Sequence, residues 1–238
     1  IRSTDRAYCW ILLHTDTGHI GIGETYHRAD PAEQVIHEFA RAFLLGNDPE
    51  NIELIWDNMY KRASFHGLMG AELRAISGLD TGLWDLLGKI YDTPLYRLLG
   101  GQTRTSVPIY FSGIYDEVAM EKNAVQDWSK QCVDAGWKAC KTARFFGDFY
   151  GDTAGYLSAA NAATGARRFE WVRQAVGDQL EVGLDLHCAF DVPSAIRIGQ
   201  AVKQFNPYFV EEPIQPDNAR ALREVRESAG VPIAAGER

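Results

Sequence analysis

Asp185, Glu211 and Glu237 recur at a fixed interval of 26 positions. Each stands at the end of a short apolar run: VGLDLH, YFVEEP and PIAAGER. Carboxylates gathered at one point repel each other unless a cation stands among them. Mg2+, with oxygen ligands at roughly 2.1 Å, suits a site of few carboxylates plus substrate oxygens. Two positions beyond Asp185 stands His187. Side chains alternate along a strand, so the pair is expected to point the same way. A lone histidine is ordinarily structural. Beside a metal carboxylate it becomes a candidate general acid, because imidazole gives up a proton near neutral pH. Lys141 ends another apolar run and is a candidate to bind a substrate carboxylate or to act as a base; Ala143, next on the same face, can do neither. Of the adjacent Glu211 and Glu212 only one can face inward, and the interval selects Glu211. Glu212 is then expected to face the neighbouring strand or helix layer and to pair with a base there.

The elements that must position these groups follow from the segments between them. DVPSAIRIGQAVKQF and DNARALREVRESAG carry helical patterning, and a strand, helix, strand unit is about as long as the interval. Strands are expected at 107–112, 138–143, 181–187, 208–213 and 232–237, with helices at about 116–135, 166–177, 192–205 and 217–229. Repeated βα units predict a parallel sheet, either a barrel or a doubly wound sheet. No GxGxxG follows the first strand, which removes the support for dinucleotide binding. Active groups on three successive strand ends favour the barrel, whose chemistry sits on that face.

The part before residue 105 reads differently. Residues 7–13 and 19–24 form a hairpin, joined by HTDTG and followed by the polar loop GETYHRAD. Pro31 opens one helix, and Asn47 or Asp48 ahead of Pro49 signals another. Residues 71–91 are the clearest helix: Leu73, Ile76, Leu79, Leu83, Leu86 and Ile90 form one stripe. Ala75, Gly78 and Gly82 form a small-residue face that another backbone can approach. The division expected is an α+β capping domain at 1–104 and a barrel segment at 105–238. Tyr26, His27 and Arg28, after the hairpin, are candidate substrate-binding residues, since loops over a barrel mouth carry selectivity. His66 and the aromatic, glycine-rich run FFGDFYGDTAGYL read as loops without an assigned role.

The 238 residues are 46% hydrophobic, enough for a large core or two domains. A net charge of −8 argues against nucleic acid or an anionic membrane as partner. No apolar run is long enough to span a bilayer, and the N-terminus lacks the features of a signal peptide. Cys9, Cys132, Cys140 and Cys188 are scattered, as expected of free thiols in a cytoplasmic protein. Only about five of the eight strands that closure requires are expected, so the chain reads as part of a longer protein.

The run GIGE, the helix AISGLDTGLWDLLGKIYDTPLYRLLGG, the strand GWKACKTA and the carboxylates of GLDLH, VEEP and AGER occur in one order and spacing. In this combination the chain resembles the enolase superfamily, in its mandelate racemase/muconate lactonizing enzyme branch. The resemblance implies an α/β fold: a modified TIM-type (β/α) barrel with an N-terminal α+β capping domain. It implies one Mg2+ held by Asp185, Glu211 and Glu237, and usually a homo-oligomer. The shared partial reaction is removal of the proton α to a carboxylate, with a Lys or His base and metal stabilisation of the enediolate. Many racemases of the family carry K-x-K on the second strand, the second lysine being a base; Ala143 stands there in this chain. D-x-H on the third strand resembles the acid-sugar dehydratases, notably the galactonate type, in which the histidine protonates the departing 3-hydroxyl. Their base, a histidine oriented by an aspartate, belongs to later strands. The expectation is therefore Mg2+-dependent dehydration of a sugar acid to a 2-keto-3-deoxy acid. A racemase, epimerase or cycloisomerase, or a non-catalytic relative, are the alternatives.

Overall fold

A computed structural model describes residues 8–26, 29–65, 70–113, 121–143, 145–146 and 155–237; the side chains of Tyr8, Tyr26 and Ala29 are outside this description. The chain forms two units, Ile1–Ser106 and Val107–Arg238.

The first unit begins with an antiparallel hairpin, β1 (Tyr8–His14) and β2 (Ile20–Tyr26). Alternation sends Ile11, Gly21, Gly23 and Thr25 inward and leaves Trp10, Leu12, Ile20 and Ile22 exposed. Helix α1 (Ala29–Phe39) continues as a π-helical turn, Ala40–Leu44. Then come α2 (Ile52–Ser64), α3 (Ala71–Ile90) and the short α4 (Leu95–Leu98). The expected stripe on α3 is the core of this unit, with Ile76, Leu79, Leu83 and Leu86 buried. Its small-residue face receives β2. A Cβ on Gly23 would lie 2.0 Å from the Gly78 carbonyl oxygen, and one on Gly21 would lie 2.3 Å from that of Gly82. Glycines on both elements are what let strand and helix backbones touch.

The second unit alternates strands and helices: β3 (Phe111–Ser112), α5 (Lys122–Asp134), β4 (Ala139–Thr142), α6 (Ala159–Val176), β5 (Glu181–Asp185), α7 (Val192–Val202), β6 (Val210–Glu211), α8 (Ala219–Ala229) and β7 (Ile233–Ala234). All strand pairs are parallel, and the sheet order is β3-β4-β5-β6-β7. A doubly wound sheet reverses its strand order at a switch point. Among the described residues this one does not, which is the winding of a (β/α) barrel. The core between sheet and helices includes Cys140, Val182, Leu184, Val210, Phe169 and Ile198.

Two expectations are corrected. Helix α6 starts at Ala159, earlier than 166, with the Ser158 hydroxyl accepting from the Asn161 amide at 3.1 Å. The added turns, AANAATG, hold no large apolar residue to mark a period, although alanine is the best helix former. The ladders at β3, β6 and β7 are two residues long, where six were expected. Apolar runs extend past the stretch in which neighbouring backbones stay in register.

Candidate metal centre

The ladder itself brings the first two carboxylates together, since Asp185 on β5 is the register partner of Glu211 on β6. Glu211 is in turn paired with Ala234 on β7, so Glu237 lies three residues beyond the ladder position that the equal interval suggested. It reaches the site from the loop after β7. Asp185, Glu211 and Glu237 each present an oxygen within 4.8 Å of the others, with Asp185 buried, Glu211 half-buried and Glu237 exposed.

From β4, the Lys141 Nζ donates to Glu211 Oε1 at 2.8 Å and forms an ion pair with Asp185 Oδ2 at 2.9 Å. Burial pulls this ammonium toward neutrality, but the hydrogen bonds and charges of Glu211 and Asp185 outweigh it, and its pKa is raised. Lys141 is thereby held as a cation, which suits a carboxylate binder better than a base. The Glu211 carboxyl is raised above its ordinary value, first by burial and further by the charges of Asp185 and Glu237, against the hydrogen bond from Lys141.

These residues fit a divalent cation. Three carboxylates and one ammonium leave two negative charges in excess. An octahedral Mg2+ with oxygens at roughly 2.1 Å sets its ligands about 3.0–4.2 Å apart. The three oxygens need draw in only slightly to meet that range. The ammonium of Lys141, seated between two of them, is a cation already drawn to the same charge.

His187 is near Asp185, but for a different reason from the one its spacing suggested. Strand β5 ends at Asp185, and His187 and Cys188 follow with φ of +48° and +60°, so alternation no longer applies. The turn is held by Asp185 itself, whose Oδ1 accepts the His187 main-chain N–H at 3.0 Å. The ring Nδ1 lies 3.6 Å from the same oxygen, and the side chain is 30% exposed. The imidazole is therefore at the rim of the acidic cluster and open to a substrate.

Sequence reasoning missed the part played by Glu212. Glu212 is 2% exposed, and the partners described for its carboxylate lie in the loops that follow the neighbouring strands. Oε1 accepts the main-chain N–H groups of Gly236 at 2.6 Å and Glu237 at 2.8 Å, and Oε2 accepts the Cys188 thiol at 3.2 Å. The signal was present in the doubled EE before Pro213, but nothing in one sequence told a buried acceptor from a solvated loop acid. Tyr26 closes β2, with only its main chain described. His27, Arg28, His66, Arg144 and residues 147–154 lie outside the described residues. Among the described residues, no helix is long and apolar enough to cross a membrane.

The comparisons with known proteins agree with this geometry. Residues 2–100 match the mandelate racemase / muconate lactonizing enzyme N-terminal domain, and residues 124–238 match the enolase C-terminal domain-like family. The chain belongs to the enolase superfamily, in its mandelate racemase/muconate lactonizing enzyme branch. Among its relatives, an arabinonate dehydratase of Saccharolobus solfataricus is 30% identical over 94% of this chain and 57% of its own length. A D-galactonate dehydratase of Ralstonia nicotianae is 32% identical over 97% of this chain and 58% of its own. A D-galactarolactone cycloisomerase of Agrobacterium fabrum is 30% identical over 100% of this chain and 59% of its own. The chain thus spans somewhat more than half the length of these relatives. A solved enolase-superfamily member from Salmonella Typhimurium superposes with a TM-score of 0.91 at 28% identity, covering 100% of this chain and 65% of the other.

Proposed function

We propose that the full-length protein is a Mg2+-dependent sugar acid dehydratase, which turns an aldonate into its 2-keto-3-deoxy acid and water. The observation that carries this reading is the convergence of Asp185, Glu211 and Glu237 within 4.8 Å, beside Lys141 and His187. Asp185, Glu211 and Glu237 would hold the cation. When bound, it would supply positive charge to the substrate carboxylate, where negative charge grows as the α-proton passes to a histidine base on the later barrel strands of the full-length protein. Lys141, kept protonated by its two acidic neighbours, binds one oxygen of that carboxylate and fixes its plane. His187, at the rim, gives its proton to the 3-hydroxyl as the C3–O bond breaks, so that water departs instead of hydroxide. The resulting enol takes a proton at C3 and becomes the 2-keto acid. Tyr26, His27 and Arg28 complete the reading as substrate-binding residues, in a cytoplasmic homo-oligomer.

The test is an aldonate panel with the full-length protein and Mg2+, assayed for 2-keto acid. His187→Ala should lower kcat by about 10²–10⁴, the range of positioned general acid catalysis. Turnover undiminished in that variant would remove His187 from the mechanism. A second reading, cycloisomerase or epimerase, is favoured by the cycloisomerase relative. Deuterium uptake from solvent at the α-carbon without loss of water would decide for it.

A further inference from the structure

Asp185 and Glu211 are placed by the sheet, but no ladder bond places Glu237, which follows β7 by three residues. What holds it is the buried Glu212. A single oxygen of Glu212 accepts from the two successive amides of Gly236 and Glu237, at 2.6 and 2.8 Å. The other oxygen takes the Cys188 thiol, and the Glu212 carbonyl takes the Cys188 N–H at 2.7 Å. One residue therefore joins the loop after β5, the end of β6 and the loop after β7. Its backbone is bent to do so. Glu212 has φ +42°, a conformation that costs a residue with a side chain about 1 kcal/mol or more, and Gly236 has φ +119°. Local strain and a buried carboxylate are both costs, and charge-assisted hydrogen bonds to main-chain N–H groups offset them.

We propose that Glu212 is a positioning residue for the metal centre: it fixes the backbone of Glu237 so that this carboxylate meets Asp185 and Glu211. The proposal rests on the reading of those three residues as metal ligands. Outer partners that orient ligands typically contribute 10- to 100-fold to metal affinity.

The experiment uses Mn2+ as the probe on the full-length protein, with affinity and the spectrum of the bound ion followed by electron paramagnetic resonance. Glu212→Met keeps the volume and removes the acceptor; it should weaken Mn2+ binding at least 10-fold and change the spectrum. Glu212→Gln retains a carbonyl oxygen that can accept both amides, and should recover affinity to within about 3-fold of wild type. A residue that merely fills space would be served equally well by methionine. Wild-type protein that binds Mn2+, with Glu212→Met binding as tightly, overturns the positioning role alone. Wild-type protein that takes up no Mn2+ overturns the metal centre and this role with it. Should the Met variant fail to fold, a crystal structure of the wild-type protein with Mn2+ decides. Glu212 on the amides of residues 236 and 237 supports the proposal, and Glu212 turned away from them overturns it.

Discussion

Glu211 is required in a form that the fold alone disfavours. Its carboxyl is raised above the ordinary value, with burial as the main cause. A carboxyl whose folded pKa exceeds its unfolded value contributes stability below the unfolded value, and that contribution is lost as pH climbs through the folded one. At neutral pH the ionised Glu211 is therefore a cost to the metal-free protein. Glu211→Gln is expected to melt at least as high as wild type without metal at pH 7. The difference should shrink as pH falls toward about 4.5, the ordinary range for such a group. The same variant should lose the rise in melting temperature that Mg2+ gives the wild type. Thermal melts at several pH values, with Mg2+ or a chelator, check both statements. A metal-free variant less stable than wild type at neutral pH would contradict the sign. Lys141 works in the opposite sense: its raised pKa keeps its contribution in place through neutral and mildly alkaline pH.

At the scale of elements, the part of the site that could be read from the chain is the part a ladder controls. Asp185 and Glu211 share an interval because each closes one βα repeat, and register places them side by side. The second interval is equal for another reason: the repeat is three residues short at the strand, and a loop makes up the difference. His187 lies beside Asp185 through a left-handed turn and not through the alternation its spacing suggested, which stops at Asp185. Turns bonded through side chains leave no period in a sequence, and neither does the alanine-rich start of α6. The opposite end of the sheet has its own fastening in Arg173 of α6. Its guanidinium donates to the carbonyls of Phe205 at 2.9 Å, Gly177 at 3.0 Å, Leu180 at 2.7 Å and Asn206 at 3.0 Å. These lie ahead of β5 and β6, away from the acidic cluster. Arg173→Met is expected to cost about 2–4 kcal/mol in urea unfolding, through carbonyls left without donors. It should leave Mn2+ affinity unchanged, and a loss of affinity would show that the two ends of the sheet are coupled.

For the whole molecule, the α/β fold was legible because two periodicities divide the chain: a hairpin with amphipathic helices, then alternating strands and helices. No local pattern encodes the winding of the sheet, a long-range property; acidic groups on three successive strand ends favoured the barrel, and the strand order agrees. Saturating Mg2+ is expected to stabilise the full-length protein by RT ln(1 + [L]/Kd), about 2.7 kcal/mol at 100-fold over Kd. That amounts to a rise of several degrees in melting temperature, reversed by a chelator; calorimetry showing no shift would count against a metal centre. Two of the proposed ligands are bolted to neighbouring strands, whereas Glu237 hangs from a strap of main chain. Ions of unequal radius would then be accommodated by small displacements of that single arm, with the sheet left undisturbed. Selection between metals, or drift from one to another, would be written in the few residues around Gly236 before it touched the barrel.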